Sequence, residues 1–274
     1  VLTQKNPKKA KIGYSVSVGP LYTLDSVAYL NFPPEITQLI ASRASISKLQ
    51  KGSPFSVSSL DTERNRISNL LRDNGYYYYQ PGYSSFLADT IQVPLKVQLK
   101  MLPTATMPET AKRRWYVGKI DFYLRKQMGE TLTDSVKRKR LTVYYNGKRP
   151  PIRSRILMRS IMLRPEHMYR YRDENLTSTK LMDMGLFSMT DFKFTPRDTT
   201  SLSDTLDLSI TGLLDKPYDF YVETNYTGKT NGRMGPALIV GLTRRNAFRG
   251  AEKLDINVYG SYEWQTGHSA NGAA

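Results

Sequence analysis

Three stretches of this chain recur in the same order, and such recurrence restricts the fold to a tandem of two similar units. YTLDSVAYL (22–30) reads as a strand with alternating apolar positions, and YVGKIDFYL (116–124) repeats its form. LLRDNGYYYY (70–79) is answered by KLMDMGLFSM (180–189), each a helix end, a glycine and an aromatic strand start. DTIQVPLKVQL (89–99) is matched by DTLDLSITGLL (204–214).

Each unit has its own physical logic. Ser58 followed by Asp61 predicts a helix N-cap with an acid in the first turn. Leu60, Ile67, Leu70 and Leu71 then fall close to one helical face, and Gly75 stops the helix because glycine takes the left-handed conformation without steric cost. Thr177, Leu181 and Met184 form the weaker equivalent stripe before Gly185, and a short helix is expected after Pro33-Pro34, where Ile36, Leu39 and Ile40 share a face. Strands are predicted at 76–79, 93–101, 187–195 and 204–212. The fold class is therefore α+β, each unit a small mixed sheet with two helices on one face. VYYNGK (143–148) is an insertion in the second unit, where Asn146-Gly147 predicts a hairpin turn. KIGYSVSVG (11–19) resembles the last strand of a further unit, so a longer upstream array is expected.

After Pro217 the pattern changes. FYVETNYT (220–227) alternates, PALIVGL (236–242) is strand-like, and KLDINVYGSYEW (253–264) alternates almost throughout. Leu254, Ile256, Val258, Tyr262 and Trp264 point one way, while Lys253, Asp255, Asn257, Ser261 and Glu263 point the other. Such alternation over about ten residues suits an outer-membrane barrel strand. It also suits a half-buried strand of a soluble sheet.

No run of apolar residues is long enough for a spanning helix and nothing at the N-terminus reads as a signal peptide, so the chain is expected to be an excised, mature portion of a longer protein. The absence of cysteine excludes disulfides, thiolate metal sites and a cysteine nucleophile. A formal charge of +16 predicts attraction to polyanions. Twelve basic residues against the single acid Glu166 lie between Lys137 and Arg172, which concentrates that attraction in one unit.

Together these features resemble the BamA/TamA family of outer-membrane assembly factors with POTRA domains, and more closely its TamA-like lipoprotein branch from the Bacteroidota (TamL). The residues that carry the resemblance are the strand openings at Tyr22 and Tyr116, the junctions at Gly75 and Gly185, and the closing strands from Asp89 and Asp204. Most specific is LTRRNAFRGAEKLDINVYGSYEWQ (242–265), which looks like the family's first barrel hairpin, with Arg245, Asn246, Phe248, Arg249 and Gly250 in the turn that joins strands one and two. The resemblance implies the end of a truncated upstream POTRA-like domain over 1–19, a POTRA-like domain over 20–102, a membrane-proximal one over 103–217 and the first antiparallel strands of a truncated β-barrel over 218–274. Those strands map to 219–229, 236–244 and 252–265. Glu166 departs from the family, standing where a glycine often follows proline.

The resemblance also implies an outer-membrane location, with this segment mainly periplasmic, and a non-enzymatic role in binding unfolded client strands by β-augmentation. An open sheet edge is not stable in hydrocarbon, so this stretch is expected to receive or position clients rather than complete their insertion. Tyr76, Tyr77, Tyr78 and Tyr79 are candidates for client contact, two facing the core and two open to a client; ordinary strand packing is the alternative. Lys137, Arg138, Lys139, Arg140, Arg153, Arg155, Arg159 and Arg164 are candidates to face anionic headgroups or an accessory periplasmic or inner-membrane subunit, or to form a solvated face. The expected partners are thus unfolded outer-membrane protein clients, an accessory subunit and outer-membrane lipid.

Nucleic acid is not expected. The basic, tyrosine-rich composition suits it, but no zinc motif, helix-turn-helix signal or GXXG clamp accompanies the charge. His167 and His268 lack a visible catalytic partner, and Gly228-Lys229-Thr230 lacks the phosphate-loop glycine, since Glu223 occupies its place. Asn175-Leu176-Thr177 and Asn225-Tyr226-Thr227 match the glycosylation sequon only formally. No catalytic residue, metal site or cofactor is expected.

Overall fold

The computed structural model describes residues 2–6, 9–15, 19–198, 203–229 and 232–265. It divides into two compact units, Val1–Leu71 with Tyr78–Lys112, and Arg72–Tyr77 with Arg113–Ala274. No helix among the described residues is long and apolar enough to cross a membrane.

The first unit opens with an antiparallel hairpin, β1 (Leu2–Asn6) and β2 (Lys9–Ile12). The strand expected over 11–19 therefore ends at Ile12; residues 13–15 are irregular, and 16–18 lie outside the described residues. There follow β3 (Thr23–Tyr29), α1 (Pro34–Ser42), α2 (Val57–Arg72), β4 (Ser84–Asp89) and β5 (Lys96–Pro103). The sheet order is β3-β5-β4, with β3 parallel and β4 antiparallel to β5. Pro34 starts α1, where its fixed φ suits a first turn, and Ile36 and Ile40 on the inner face are fully buried. Leu24, Leu49, Val97 and Leu99 form a core on which Leu60 of α2 packs. Burial of each such side chain contributes about 1.5–3 kcal/mol.

Three sequence expectations are corrected in this region. The helix α2 starts at Val57, so Ser58 lies inside its first turn rather than capping it. Tyr76, Tyr77, Tyr78 and Tyr79 form no strand: Gly75, at φ +96°, turns the chain, and the strand comes later at β4, beyond Pro81-Gly82. The closing strand starts at Lys96, so β5 rather than the stretch from Asp89 corresponds to the strand following Asp204.

In the second unit β6 (Tyr116–Arg125), β7 (Asp134–Arg138) and β8 (Leu141–Tyr145) precede α3 (Ser154–Ser160), α4 (Tyr171–Asp183), β9 (Phe187–Pro196) and β10 (Thr205–Leu214). The order is β7-β8-β6-β10-β9. Its β6-β10-β9 part reproduces β3-β5-β4, parallel then antiparallel, and the duplication extends to an irregularity. One extra residue sits between Leu24 and Ser26 of β3, and one between Val117 and Ile120 of β6. Leu24 and Val117 are thus equivalent, one residue off the alignment of YTLDSVAYL with YVGKIDFYL. The inserted hairpin turns at Lys139 and Arg140, with Arg138 paired to Leu141 and Lys139 at φ +51°. This corrects the turn predicted at Asn146-Gly147. Gly147 is left-handed, at φ +107°, but it leads out of β8 towards α3. Phe122, Val143, Leu157, Tyr169, Leu181 and Ile210 anchor the core of this unit.

The same unit contains an open antiparallel sheet of β11 (Tyr218–Gly228), β12 (Arg233–Arg245) and β13 (Lys253–Ser261), with β14 (Trp264–Gln265) resuming the pairing on β12. The pairing Val222–Val240–Val258 fixes one apolar face, shared by Phe220, Leu242 and Ile256. Val240 is half-buried and the side chains around it are exposed, Phe220 at 68% and Val258 at 67%. The opposite face carries Glu223, Asn225, Asp255 and Asn257. There the Tyr221 ring lies over Gly241, and its hydroxyl donates to Asn257 Oδ1 at 3.0 Å. A Cβ on Gly241 would stand 2.1 Å from the ring.

Candidate functional site

Among the described residues, the outer strands β4 and β9 are edges open to an added strand, as is β7. In the first unit the outer edge of β3 is partly covered, since Leu24 N donates to Ser53 O and Phe55 N to Tyr22 O, both at 2.8 Å. That leaves β4, where Phe86 packs inward and Leu87 is 59% exposed. In the second unit β8 occupies the corresponding edge of β6, and the outermost strand β7 carries Lys137 and Arg138. At the far side β9 turns Phe192 and Phe194 to the core and exposes Ser188, Met189, Asp191 and Lys193. An edge of this kind binds an extended segment through backbone hydrogen bonds, each worth about 0.5–1.5 kcal/mol net.

The four tyrosines do not supply that edge. Tyr76 and Tyr79 are each 1% exposed, and Tyr77 and Tyr78 are half-buried. The Tyr77 ring packs edge-on to Tyr169 at 5.0 Å and against Phe194 at 4.9 Å. Around them the chain after α2 is bonded to α4: Asp73 accepts the Arg172 N–H at 2.7 Å, placing a carboxylate at the first turn of that helix. Tyr169 donates to Glu174, and burial, followed by the Glu174 charge, raises its phenol above the usual range.

The basic run is split by the fold. Arg140 is half-buried and its guanidinium donates to the carbonyls of Met158 (3.1 Å) and Ile161 (2.8 Å), closing the C-terminal end of α3. Arg153 stands at the start of α3, with Arg155 and Arg159 exposed along it. Lys137, Lys139, Arg140 and Arg164 converge on a different surface, an open groove beside β6. Arg138 is exposed on β7.

The turn at 245–252 is held by a dense set of backbone and side-chain bonds. Asn246, Arg249 and Ala251 all have left-handed φ, at +58°, +66° and +64°. Three such non-glycine residues in a row of six need compensating bonds. The Asn246 N–H donates to Glu252 O at 2.6 Å, the Ala251 N–H to Asn246 Oδ1 at 3.2 Å, and the Glu252 carboxylate accepts the N–H groups of Phe248 and Gly250. Partial burial works against ionisation of Glu252, but those N–H bonds prevail and hold its pKa down. The turn then locks to the preceding module: Asn246 Nδ2 donates to Pro151 O and Arg249 Nε to Pro150 O, each at 2.9 Å, and the Arg153 N–H donates to Arg249 O at 3.0 Å. Ala251 packs on the core of the five-stranded sheet. Beside the turn a cavity of about 520 Å³ is lined by Pro151, Leu186, Leu214, Tyr218 and Arg245.

No family model matches this chain, and no curated protein matches it. Among solved structures it is similar to BamA from Haemophilus ducreyi lacking POTRA domains 1–3, with 15% identity and a TM-score of 0.56 over 88% of this chain. The fold is that of POTRA modules leading into barrel strands. This chain spans 37% of the length of that BamA chain. POTRA3–5 of BamA from Haemophilus influenzae matches with 15% identity and a TM-score of 0.41, over 70% of this chain and 61% of that one. CdiB from Acinetobacter baumannii matches with 14% identity and a TM-score of 0.39, over 95% and 42%.

The POTRA frame corrects one implied detail. The 245–250 turn joins the second and third strands of the sheet, β12 and β13, rather than the first and second, because β11 precedes and pairs with β12. Sequence reading missed Glu252 and the receiving carbonyls of Pro150 and Pro151; a carboxylate two residues after the turn glycine was the available signal. His167 is exposed, with Nδ1 2.9 Å from Pro165 O. His268 and Thr230 lie outside the described residues, among which no cluster of potential metal ligands occurs.

Proposed function

We propose that this chain is the periplasmic portion and opening membrane strands of an outer-membrane protein assembly factor of the BamA/TamA kind, in its TamA-like lipoprotein branch. The reading divides the chain into the end of an upstream POTRA module (1–19), two POTRA modules (20–102 and 103–217) and the first barrel strands (218–274). The observation that carries it is the continuity between the second module and an open strand sheet with one face that is apolar across Phe220, Val222, Val240, Leu242, Ile256 and Val258, joined through the backbone-bonded turn at 246–252. A face such as Phe220, Val240, Leu242 and Val258 is stable against hydrocarbon and costly against water.

In this reading unfolded outer-membrane protein segments add to β4 and β9, and the turn holds the modules to the membrane sheet. Backbone pairing is largely indifferent to side-chain sequence, which suits a receiver of many clients. Photo-crosslinkers at Leu87 and Met189, on the β4 and β9 edges, should capture nascent barrel proteins in living cells, whereas one at buried Tyr79 should not. Capture of folded periplasmic proteins alone at the two edge positions would reject the proposal.

A further inference from the structure

The basic run of the sequence supplies only part of a local feature that the fold completes. An open groove of about 730 Å³ lies between the start of β6, the turn between β7 and β8, and the 164–167 segment. Lys119, Lys137, Lys139, Arg140, Arg164 and Arg197 all line it, arriving from β6, the inserted hairpin, the α3–α4 connection and the end of β9. Two of them are neutralised: Lys119 Nζ is 3.4 Å from Asp121, and Arg197 is 2.8 Å from Asp207. Among the described residues the other four have no carboxylate within ion-pair distance, and Glu166 is the one further acid of the lining.

A solvated face would spread these charges, because like charges repel at short range. Here they are gathered. Arg140 is also fixed in place by its bonds to Met158 and Ile161, so it cannot swing out to relieve the crowding. Burial and then the neighbouring Arg164 charge make its protonated form less favourable. The hydroxyls of Thr142 and Tyr144 on the groove wall add neutral donors. A fixed guanidinium with three exposed cations beside it and hydroxyl donors on the wall matches the oxygen-rich, multiply charged surface of a phosphate group.

We propose that this groove is a binding site for a phosphate-bearing anion of at least two negative charges, presented by a lipid headgroup or free in solution. The site is independent of client pairing, which uses the backbones of β4 and β9. It is also narrower than attraction of the whole basic run to an acidic surface, since Arg153, Arg155 and Arg159 take no part in it.

The test compares two triple variants of equal charge change, made in the full chain in zwitterionic detergent. Lys137→Glu, Lys139→Glu and Arg164→Glu reverse the groove, while Lys148→Glu, Arg149→Glu and Lys180→Glu reverse exposed cations outside it. Titration with pyrophosphate at low salt should saturate, with affinity falling about tenfold or more in the groove variant and less than about twofold in the other. No saturable binding, or an equal loss in both variants, would overturn the site. Sedimentation with phosphatidylcholine vesicles containing phosphatidic acid then identifies the source. Groove-dependent sedimentation supports a headgroup, and pyrophosphate binding without it supports a soluble anion. Arg140 is left intact because it closes α3. Should the triple variant not fold, Lys139→Ser at the hairpin tip should alone weaken pyrophosphate binding about threefold, and an unchanged affinity there would count against the site.

Discussion

The side-chain amide of Asn246 donates to the carbonyl of Pro151 at 2.9 Å, so a turn of the open strand sheet is fixed to the preceding POTRA-like module by a bond to backbone. The same side chain accepts the Ala251 N–H, and its own φ of +58° is one that asparagine tolerates better than most residues. Asn246→Ala should therefore cost about 2–3 kcal/mol through two lost bonds and added strain. Asn246→Gly removes the bonds without the strain and should fall between. Hydrogen exchange of the 246–252 amides and the unfolding midpoint together check this, and protection unchanged in Asn246→Ala would refute it.

Tyr221 and Gly241 form a ring-over-glycine pair on the polar face, where no Cβ fits. Gly241→Ala should destabilise the sheet by about 1–3 kcal/mol through overpacking. Combined with Tyr221→Ala, which empties the space, the glycine substitution should cost far less than it does alone. A double-mutant cycle measures that coupling, and simple additivity would show that the pair does not interact in the assembled protein.

The two faces of the strand sheet should respond oppositely to charge. Val240→Arg places a cation between Val222 and Val258 and should impair membrane assembly by about 2–4 kcal/mol. Asn225→Arg, on the other face, should be nearly silent. Heat-modifiable gel mobility of the membrane fraction reports both, and equal defects would mean that the apolar face does not meet lipid.

Inside the first unit Glu63 is 1% exposed, bonded by Arg66 at 2.6 and 2.8 Å and by the Tyr29 hydroxyl at 2.7 Å. Burial opposes its charge, but the bonds from Arg66 and Tyr29 outweigh it and lower the pKa, while burial and then Glu63 itself push Tyr29 up to about 12. A depressed carboxyl stabilises the fold above its unfolded pKa and loses that contribution as pH falls through the folded value. The urea midpoint of this unit should therefore drop on acidification below the ordinary glutamate range. Glu63→Gln should flatten that slope and cost about 2–3 kcal/mol at neutral pH, less than for a fully buried pair because Arg66 keeps some contact with water.

What could be read from the sequence was whatever depends on local pattern. The strands at 22–30 and 116–124, the helix stop at Gly75 and the alternation of 253–264 all follow from periodicity or from one residue's backbone freedom. The tyrosine run failed because β propensity records how well a side chain fits a pleated surface, and Tyr76 and Tyr79 instead found burial in a turn. Asn146-Gly147 is a strong local turn signal, yet pairing of β7 with β8 set the hairpin at Lys139 and Arg140, where the register demanded it. The candidate site was legible on one side only. The turn residues from Arg245 to Gly250 stand out as a motif, whereas Pro150 and Pro151 contribute carbonyls, which every residue has.

That asymmetry bears on how such a joint changes over evolutionary time. The receiving segment is recognised through atoms common to all amino acids, so its side chains can drift while the attachment persists. The inserted turn depends on an amide, a guanidinium and a carboxylate that few substitutions replace. Among divergent relatives, the socket should be variable in sequence and constant in shape, and the plug should be constant in both.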